Sequence, residues 1–382
     1  MNNALEEKHI IETVLGYTEQ GTTHMQPAML NNPVSHYTDI DRLQLEIDTL
    51  FRKFPIIVGH ASQVQTPGEY FTHDVSGMPL LITRTQNHEI KAFINVCRHR
   101  GAQVVNQPCG KAKTFACPYH RWVYDLDGRL RGMRQPEGFA GLDKSQHGLV
   151  ELPAFERFGL IWVRPTPSAT PVDIDAWLQP MAGQLASIDL AEHQVYKTWT
   201  LHKDMSWRVA LEGFQESYHF CAAHETTACS TYLDNQSVFL DQYPHVRHAV
   251  PLAQIVTLKE QAEDQWDYRA NFMTQNFLFP CNFVQVMTDH VYIHTIAPTG
   301  PGRCVFNCLM LVPQDHPKGD RYWEANYNVV RKVFDEDFAI GEGIQRGFAT
   351  GVNQYFVFGR YESGLYLAQK AMDDALAGRL TA

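Results

Sequence analysis

The sequence predicts an α+β protein in which an antiparallel β domain is inserted into a larger domain with a helix-covered antiparallel sheet. Three observations carry this expectation. Short strand-like runs separated by Gly, Pro and Asp-Gly crowd into residues 55–165. Stretches with apolar residues at helical spacing lie on both sides of them. A Pro-rich joint, Pro165-Thr166-Pro167 to Pro171, then reads as a boundary. The expected divisions are 1–54, an N-terminal helical part of the larger domain; 55–165, the β domain; and 166–382, the rest of the larger domain.

Taken in order, Asp39–Phe54 places Ile40, Leu43, Ile47, Leu50, Phe51 and Phe54 at helical spacing with charges between, an amphipathic helix. The runs PLLITRT, KAFINVC, KTFACPY, RWVYDL and FGLIWVRP read as strands, with Asp127-Gly128 as a turn. Helical character returns over Trp207–Ala223. NFVQVMTD, HVYIHTIAP and RCVFNCLMLVP then read as neighbouring strands of one antiparallel sheet. Tyr322–Phe348 is helical again, with Val329, Val330, Val333, Phe334, Phe338 and Ile344 on its apolar side.

At 382 residues, 44% hydrophobic and 12% aromatic, the chain is long enough to bury one or two real cores. Lys+Arg 32 against Asp+Glu 42 leaves a net charge of −10, which speaks against nucleic acid as a partner. A basic membrane-docking patch is equally unexpected, and no apolar run approaches the ~18 residues of a spanning helix. The first residues lack the charged-then-apolar pattern of a secretion signal. The eight cysteines are too scattered for a disulfide framework. The expectation is a cytoplasmic enzyme. Its 18 histidines stand out, because several adjoin cysteines or carboxylates.

Within the β domain sit Cys97-Arg98-His99 and Cys117-Pro118-Tyr119-His120, a C-x-H and a C-x-x-H with seventeen residues between them. Two loops that each present a thiolate and an imidazole can hold a metal centre between two hairpin tips. Such a set serves a structural zinc or a [2Fe–2S] cluster in which two His replace two Cys on one iron. The alternation of ligand types inside each loop favours the cluster, with Cys97 and Cys117 on one iron and His99 and His120 on the other. The motif and its flanks, CRHRGAQVV and CPYHRWVYDLDGRL, resemble the Rieske signature, including Trp122 and the turn from Tyr124 to Gly128. Arg121 stands where many members have Gly. Cys109 lies in a turn and is left out of the ligand set.

A second constellation lies in the larger domain. His219 and His224 are five apart, nearly one and a half helical turns, so a regular helix would point them apart and must break or widen between them. Two imidazoles with one carboxylate make the facial triad of non-haem Fe(II) oxygenases. The stretch from Phe334 to Glu342 offers Asp335, Asp337 and Glu342 for the missing acid.

Along nearly its whole length the chain resembles the α subunits of Rieske non-haem iron oxygenases, the aromatic-ring-hydroxylating oxygenase family. The resemblance implies His219, His224 and Asp337 as ligands of a mononuclear iron. It implies Glu216, three residues before His219, as the acidic bridge to a Rieske His of a neighbouring subunit. Most described members have Asp there; Glu212 also departs from the Asn or Asp of many relatives. The implied activity is hydroxylation or dihydroxylation of a small organic substrate, aromatic or alicyclic, with O₂ and reductase-supplied electrons. Oxidative demethylation and quaternary-amine oxidation are the alternatives within the family, and a Rieske electron carrier lies outside it. No G-x-G-x-x-G follows a strand, so a separate NAD(P)H-dependent flavin or iron–sulfur reductase is expected, with or without a ferredoxin. The implied assembly is a head-to-tail homotrimer, with a β subunit as a further option. Phe214, Phe220, Cys221 and Phe283, with Asn282 or His294 as polar contacts, are the candidate pocket residues.

Overall fold

The computed structural model describes residues 3–167, 171–315 and 318–382. The chain divides into two compact units. One comprises Phe51–Trp177 with Asp189–Val195; the other comprises the N-terminal part up to Leu50, Leu178–Ile188, and Tyr196–Thr381. The predicted limits of 55 and 165 fall inside the first unit. Phe54 packs against Trp177 with ring centroids 5.4 Å apart, which draws both flanks into it. Of the Pro-rich joint, residues 168–170 lie outside the described residues.

The β unit contains a five-stranded sheet and two three-stranded ones. The sequence runs read as strands fall at Met78–Arg84, Ile90–Ile94, Thr114–Ala116, Val123–Asp125 and Leu160–Val163. The Asp127-Gly128 turn needs its glycine twice over: φ is +75°, and a Cβ would collide with the ring of Phe93.

The larger unit is built on a seven-stranded sheet. Asn282–Val286, Val291–Gly300 and Arg303–Pro313 are consecutive antiparallel neighbours, as their alternating apolar residues require. Val238–Gln242, His245–Pro251 and Phe272–Leu278 extend the same antiparallel order. The helix Gly319–Phe348 buries Trp323, Val330, Phe334, Phe338 and Gly341, one stripe at helical spacing. Val329 and Ile344, placed on that stripe by the sequence reading, are instead 54% and 37% exposed. They sit at its edges, where they line cavities rather than the core.

The predicted helix Trp207–Ala223 is two pieces, Trp207–Glu212 and the single turn Phe220–Ala223. The first is fixed by buried polar contacts to the helix Ile40–Lys53: Trp207 Nε1 and Arg208 Nη1 donate to the Glu46 carboxylate at 2.8 and 3.0 Å. Tyr37 OH donates to Glu212 at 2.8 Å. Among the described residues no helix is long and apolar enough to cross a membrane.

Candidate metal centres

The two loops of the β unit are near copies of each other. The Cys97 N–H donates to the Ala102 carbonyl at 2.8 Å, and its own carbonyl accepts from Gly101 N at 2.9 Å. The Cys117 N–H donates to the Trp122 carbonyl at 2.8 Å, and its carbonyl accepts from Arg121 N at 3.0 Å. Each loop closes through a left-handed residue, Gly101 at φ +77° and Arg121 at φ +58°. That conformation favours glycine and costs a residue with a Cβ on the order of 1 kcal/mol, which explains why Gly at position 121 suits the signature.

Between the loops the donor atoms converge. Nδ1 of His99 and Nδ1 of His120 face each other at 3.1 Å, and the buried Cys97 and Cys117 thiols are neighbours behind them. His99 stacks on the buried Trp122 ring at 5.0 Å, which fixes its orientation. Tyr124 OH accepts from Arg98 N at 3.0 Å and lies 3.3 Å from Cys97 Sγ. Two buried thiols backing two partly exposed imidazoles are the donor set a Rieske cluster takes, and the four residues fit it.

In the larger unit His219 and His224 flank the single turn Phe220–Ala223. The breaks lie before the pair and at its end, not between the two residues. Gly213 ends the preceding helix, and His224 leaves helical geometry at φ −117°, ψ 38°. Glu216 therefore does not share a continuous helix with His219. Its carboxylate instead accepts the backbone N–H groups of Tyr218 and His219 and contacts Nδ1 of His219. The same side chain thus opens the turn and holds the imidazole.

Asp337 reaches this pair from the long helix. Its Oδ1 lies 2.9 Å from Nε2 of His224 and 3.5 Å from Nε2 of His219. One ligand atom from each of the three residues fits within 4.8 Å of the others. Asp335 is exposed and pairs with Arg331 at 3.4 Å, and Glu342 faces Lys203 at 3.9 Å, so neither joins. Sequence reasoning missed Glu336, which accepts from Nδ1 of His224 and from Thr227 Oγ1 at 2.7 Å each. Each imidazole is thereby held at Nδ1 by its own carboxylate and presents Nε2 to Asp337, the arrangement that orients a metal-binding His.

Burial pulls both imidazoles toward the neutral form, but Glu216 and Asp337 at His219, and Asp337 and Glu336 at His224, outweigh it and raise both pKa values. The surplus negative charge favours a cation, and a divalent metal is the cation these three donors suit.

Two cavities adjoin the group and share Phe214, Glu216, His219 and Asp337 on their walls. One, of about 290 Å³, also reaches Phe220 and His224. The other, of about 590 Å³, has Glu212 and Glu362 on its wall. Of the predicted pocket residues, Phe214 and Phe220 line these spaces; Cys221, Asn282, Phe283 and His294 line neither. Cys221 is joined to Cys229 by a disulfide that encloses His224 in its loop. Asn282 Nδ2 donates to the Leu278 carbonyl at 3.2 Å, across the turn between two strands. Phe283 and His294, opposed on adjacent strands, pack behind the Phe214 ring at 5.5 and 5.4 Å. Burial holds His294 neutral, with its pKa down to about 3.

Comparisons with known proteins identify both domains. Residues 54–153 match the Rieske [2Fe-2S] domain, and residues 190–378 match the ring hydroxylating alpha subunit, catalytic domain. The chain is 25% identical to the glycine betaine monooxygenase oxygenase subunit of Chromohalobacter salexigens, over 92% of this chain and 86% of that protein. Its fold matches a crystal structure of a quaternary ammonium Rieske monooxygenase with a TM-score of 0.79 at 21% identity, covering 91% of this chain and 95% of that one. It matches naphthalene 1,2-dioxygenase from Rhodococcus sp. with a TM-score of 0.76 at 17% identity, covering 97% and 98%. The chain is an α subunit of the Rieske-type ring-hydroxylating oxygenase family, with a [2Fe–2S] domain and a mononuclear-iron catalytic domain.

Proposed function

We propose that this chain is the terminal oxygenase of a multicomponent system that hydroxylates or dihydroxylates a small organic substrate, aromatic or alicyclic. The observation that carries this reading is the convergence of His219, His224 and Asp337 beside a cavity large enough for such a substrate. In it, Cys97, His99, Cys117 and His120 hold the cluster, and His219, His224 and Asp337 hold the iron. Bound there, the cluster stores single electrons and the iron supplies the oxygen chemistry.

The chain's own residues bind, orient and exclude water. Glu216 and Glu336 keep the two Nε2 atoms turned inward, and Phe214 and Phe220 present an apolar wall to substrate. Glu216 is also the bridge toward a neighbouring copy's Rieske His, which requires a head-to-tail homotrimer. A β subunit is a further component to test for. A separate NAD(P)H-dependent flavin or iron–sulfur reductase, directly or through a ferredoxin, supplies the electrons. Residues 55–165 carry the cluster and 166–382, with 1–54, the catalytic iron. The setting is cytoplasmic, and catabolism of aromatic compounds is the corresponding role.

A second reading, quaternary-amine monooxygenation or oxidative demethylation, is favoured by the names of the glycine betaine and quaternary ammonium relatives. The experiment for both is iron analysis, followed by turnover with a surrogate reductase and isotopically labelled O₂. Iron beyond the cluster's pair that disappears in His224→Ala and Asp337→Ala, together with labelled product, is the expected result. A brown protein that holds cluster iron alone and incorporates no label is an electron carrier, and the oxygenase reading fails.

A further inference from the structure

The smaller cavity has a floor made of polar groups. His248 is directly opposed to Gln275, Gln275 to Gln285, and Gln285 to Tyr292, on four consecutive strands. Opposed residues share a face of a sheet, so the four form one row, and all four line the cavity. His290, two residues before Tyr292, lines it as well.

Three of these side chains carry a buried polar atom without a hydrogen-bond partner: Nδ1 of His248, Oε1 of Gln275 and Nε2 of His290. The residues themselves are only 3%, 4% and 3% exposed. Other atoms of the two rings are engaged. His248 Nε2 lies 2.9 Å from Ser237 Oγ, and His290 Nδ1 donates to Asp289 at 2.6 Å. Asp289 is in turn held by Lys318 and Tyr322. With Nδ1 committed to Asp289, Nε2 is the free polar atom of the His290 ring. Gln275 Oε1 is an acceptor. Among the described residues no Lys or Arg lines the cavity. Unpaired polar atoms on the side chains of one wall, away from the His219, His224 and Asp337 group, are what the polar end of a ligand satisfies.

We infer that the substrate is an uncharged, largely apolar molecule bearing an O–H or N–H donor, received by Gln275 and His290 while its apolar body lies against Phe220, Tyr232 and Phe334. This deepens the oxygenase reading and rests on it, by naming the substrate class. A trimethylammonium group has no donor or acceptor and leaves the polar atoms unpaired. A carboxylate meets the Gln275 oxygen, with no Lys or Arg among the described lining residues, where it needs a cation. Glycine betaine carries both groups. Gln275 and His290 are specificity residues, outside the His219, His224 and Asp337 group.

The test is calorimetric titration of the iron-loaded enzyme with phenol, toluene and glycine betaine. Phenol is expected to bind about tenfold tighter than toluene, the worth of one net hydrogen bond, and glycine betaine weaker than both. In Gln275→Leu or in His290→Phe, whichever removes the atom that pairs with the hydroxyl, the preference for phenol falls about tenfold while toluene binding is retained. His290→Gln, which keeps an acceptor, retains most of the preference. Equal binding of phenol and toluene, an unchanged preference in both apolar variants, tighter binding of glycine betaine than of phenol, or binding of none of the three overturns the inference. Failure of bound phenol and every other compound to take up oxygen would count against the oxygenase reading, while the binding order would still support the polar row.

Discussion

Glu336→Ala isolates the orienting role of a residue that lines neither cavity. In the native site Nδ1 of His224 and Oγ1 of Thr227 both meet the Glu336 carboxylate at 2.7 Å, and Nε2 of His224 is left 2.9 Å from Asp337. Burial pushes the Glu336 carboxyl up, but the Thr227 and His224 contacts prevail and hold its pKa below the ordinary value, so it is ionised at neutral pH. Removing the carboxylate frees the ring to rotate and to adopt the tautomer with its proton on Nε2. Loss of such a partner weakens metal binding by about 10–100-fold, or about 1.4–2.7 kcal/mol. The assay is competition between the protein and a graded series of Fe(II) chelators, with the visible absorbance of the cluster as an internal check on folding. Glu336→Gln, which keeps an acceptor, is expected to lie between wild type and alanine. Asp335→Ala, one residue away but exposed and paired with Arg331, is expected to bind iron like wild type. Undiminished iron affinity in Glu336→Ala, or an equal loss in Asp335→Ala, would refute the reasoning.

Glu216→Gln should keep both metal centres yet slow product formation at least about tenfold, since the charge at Nδ1 of His219 is gone; full turnover in metal-replete protein removes Glu216 from the bridge. Gly364→Ala would set a Cβ against the backbone carbonyl of Gln215, beside Glu216, and is expected to destabilise by about 1–3 kcal/mol in urea unfolding. Gly183→Ala, with nothing within 4 Å of the added carbon and a helical backbone, should instead gain about 0.5–1 kcal/mol. Burial lifts the Glu212 carboxyl to about 7 despite Arg208 and Tyr37. Its folded pKa lies above the unfolded value, so the native state holds that proton more tightly. The associated stability is full below about pH 4.5, declines as pH rises to about 7 and then levels off. Unfolding free energies of wild type and Glu212→Gln measured at several pH values should show that decline in wild type alone; parallel profiles would contradict it.

Most of the cluster site was legible because its geometry is local. The two loops close on their own backbone within a few residues, so each carries its Cys and its His on one short turn. The His pair was half legible. Its spacing demanded an interruption of the helix, but the interruption comes from Gly213, the Glu216 side chain and the backbone at His224, and the periodicity of Trp207–Ala223 hides all three. Choosing Asp337 over Asp335 and Glu342 depended on resemblance, because helix phase alone does not say which face meets a distant turn.

Element types, the order of the later strands and the four candidate cluster ligands follow from runs of consecutive residues, whose periodicity and short hydrogen-bonded loops are properties of the chain itself. The partner of His224, the displacement of Phe283 and His294 behind Phe214, and the row from His248 to Tyr292 do not. They depend on strand register and on the rotation of one long helix against the turn that carries the histidines. A shift of one residue in either would send a different set of side chains to the same cavity. Only the packing of parts remote in sequence determines which set arrives.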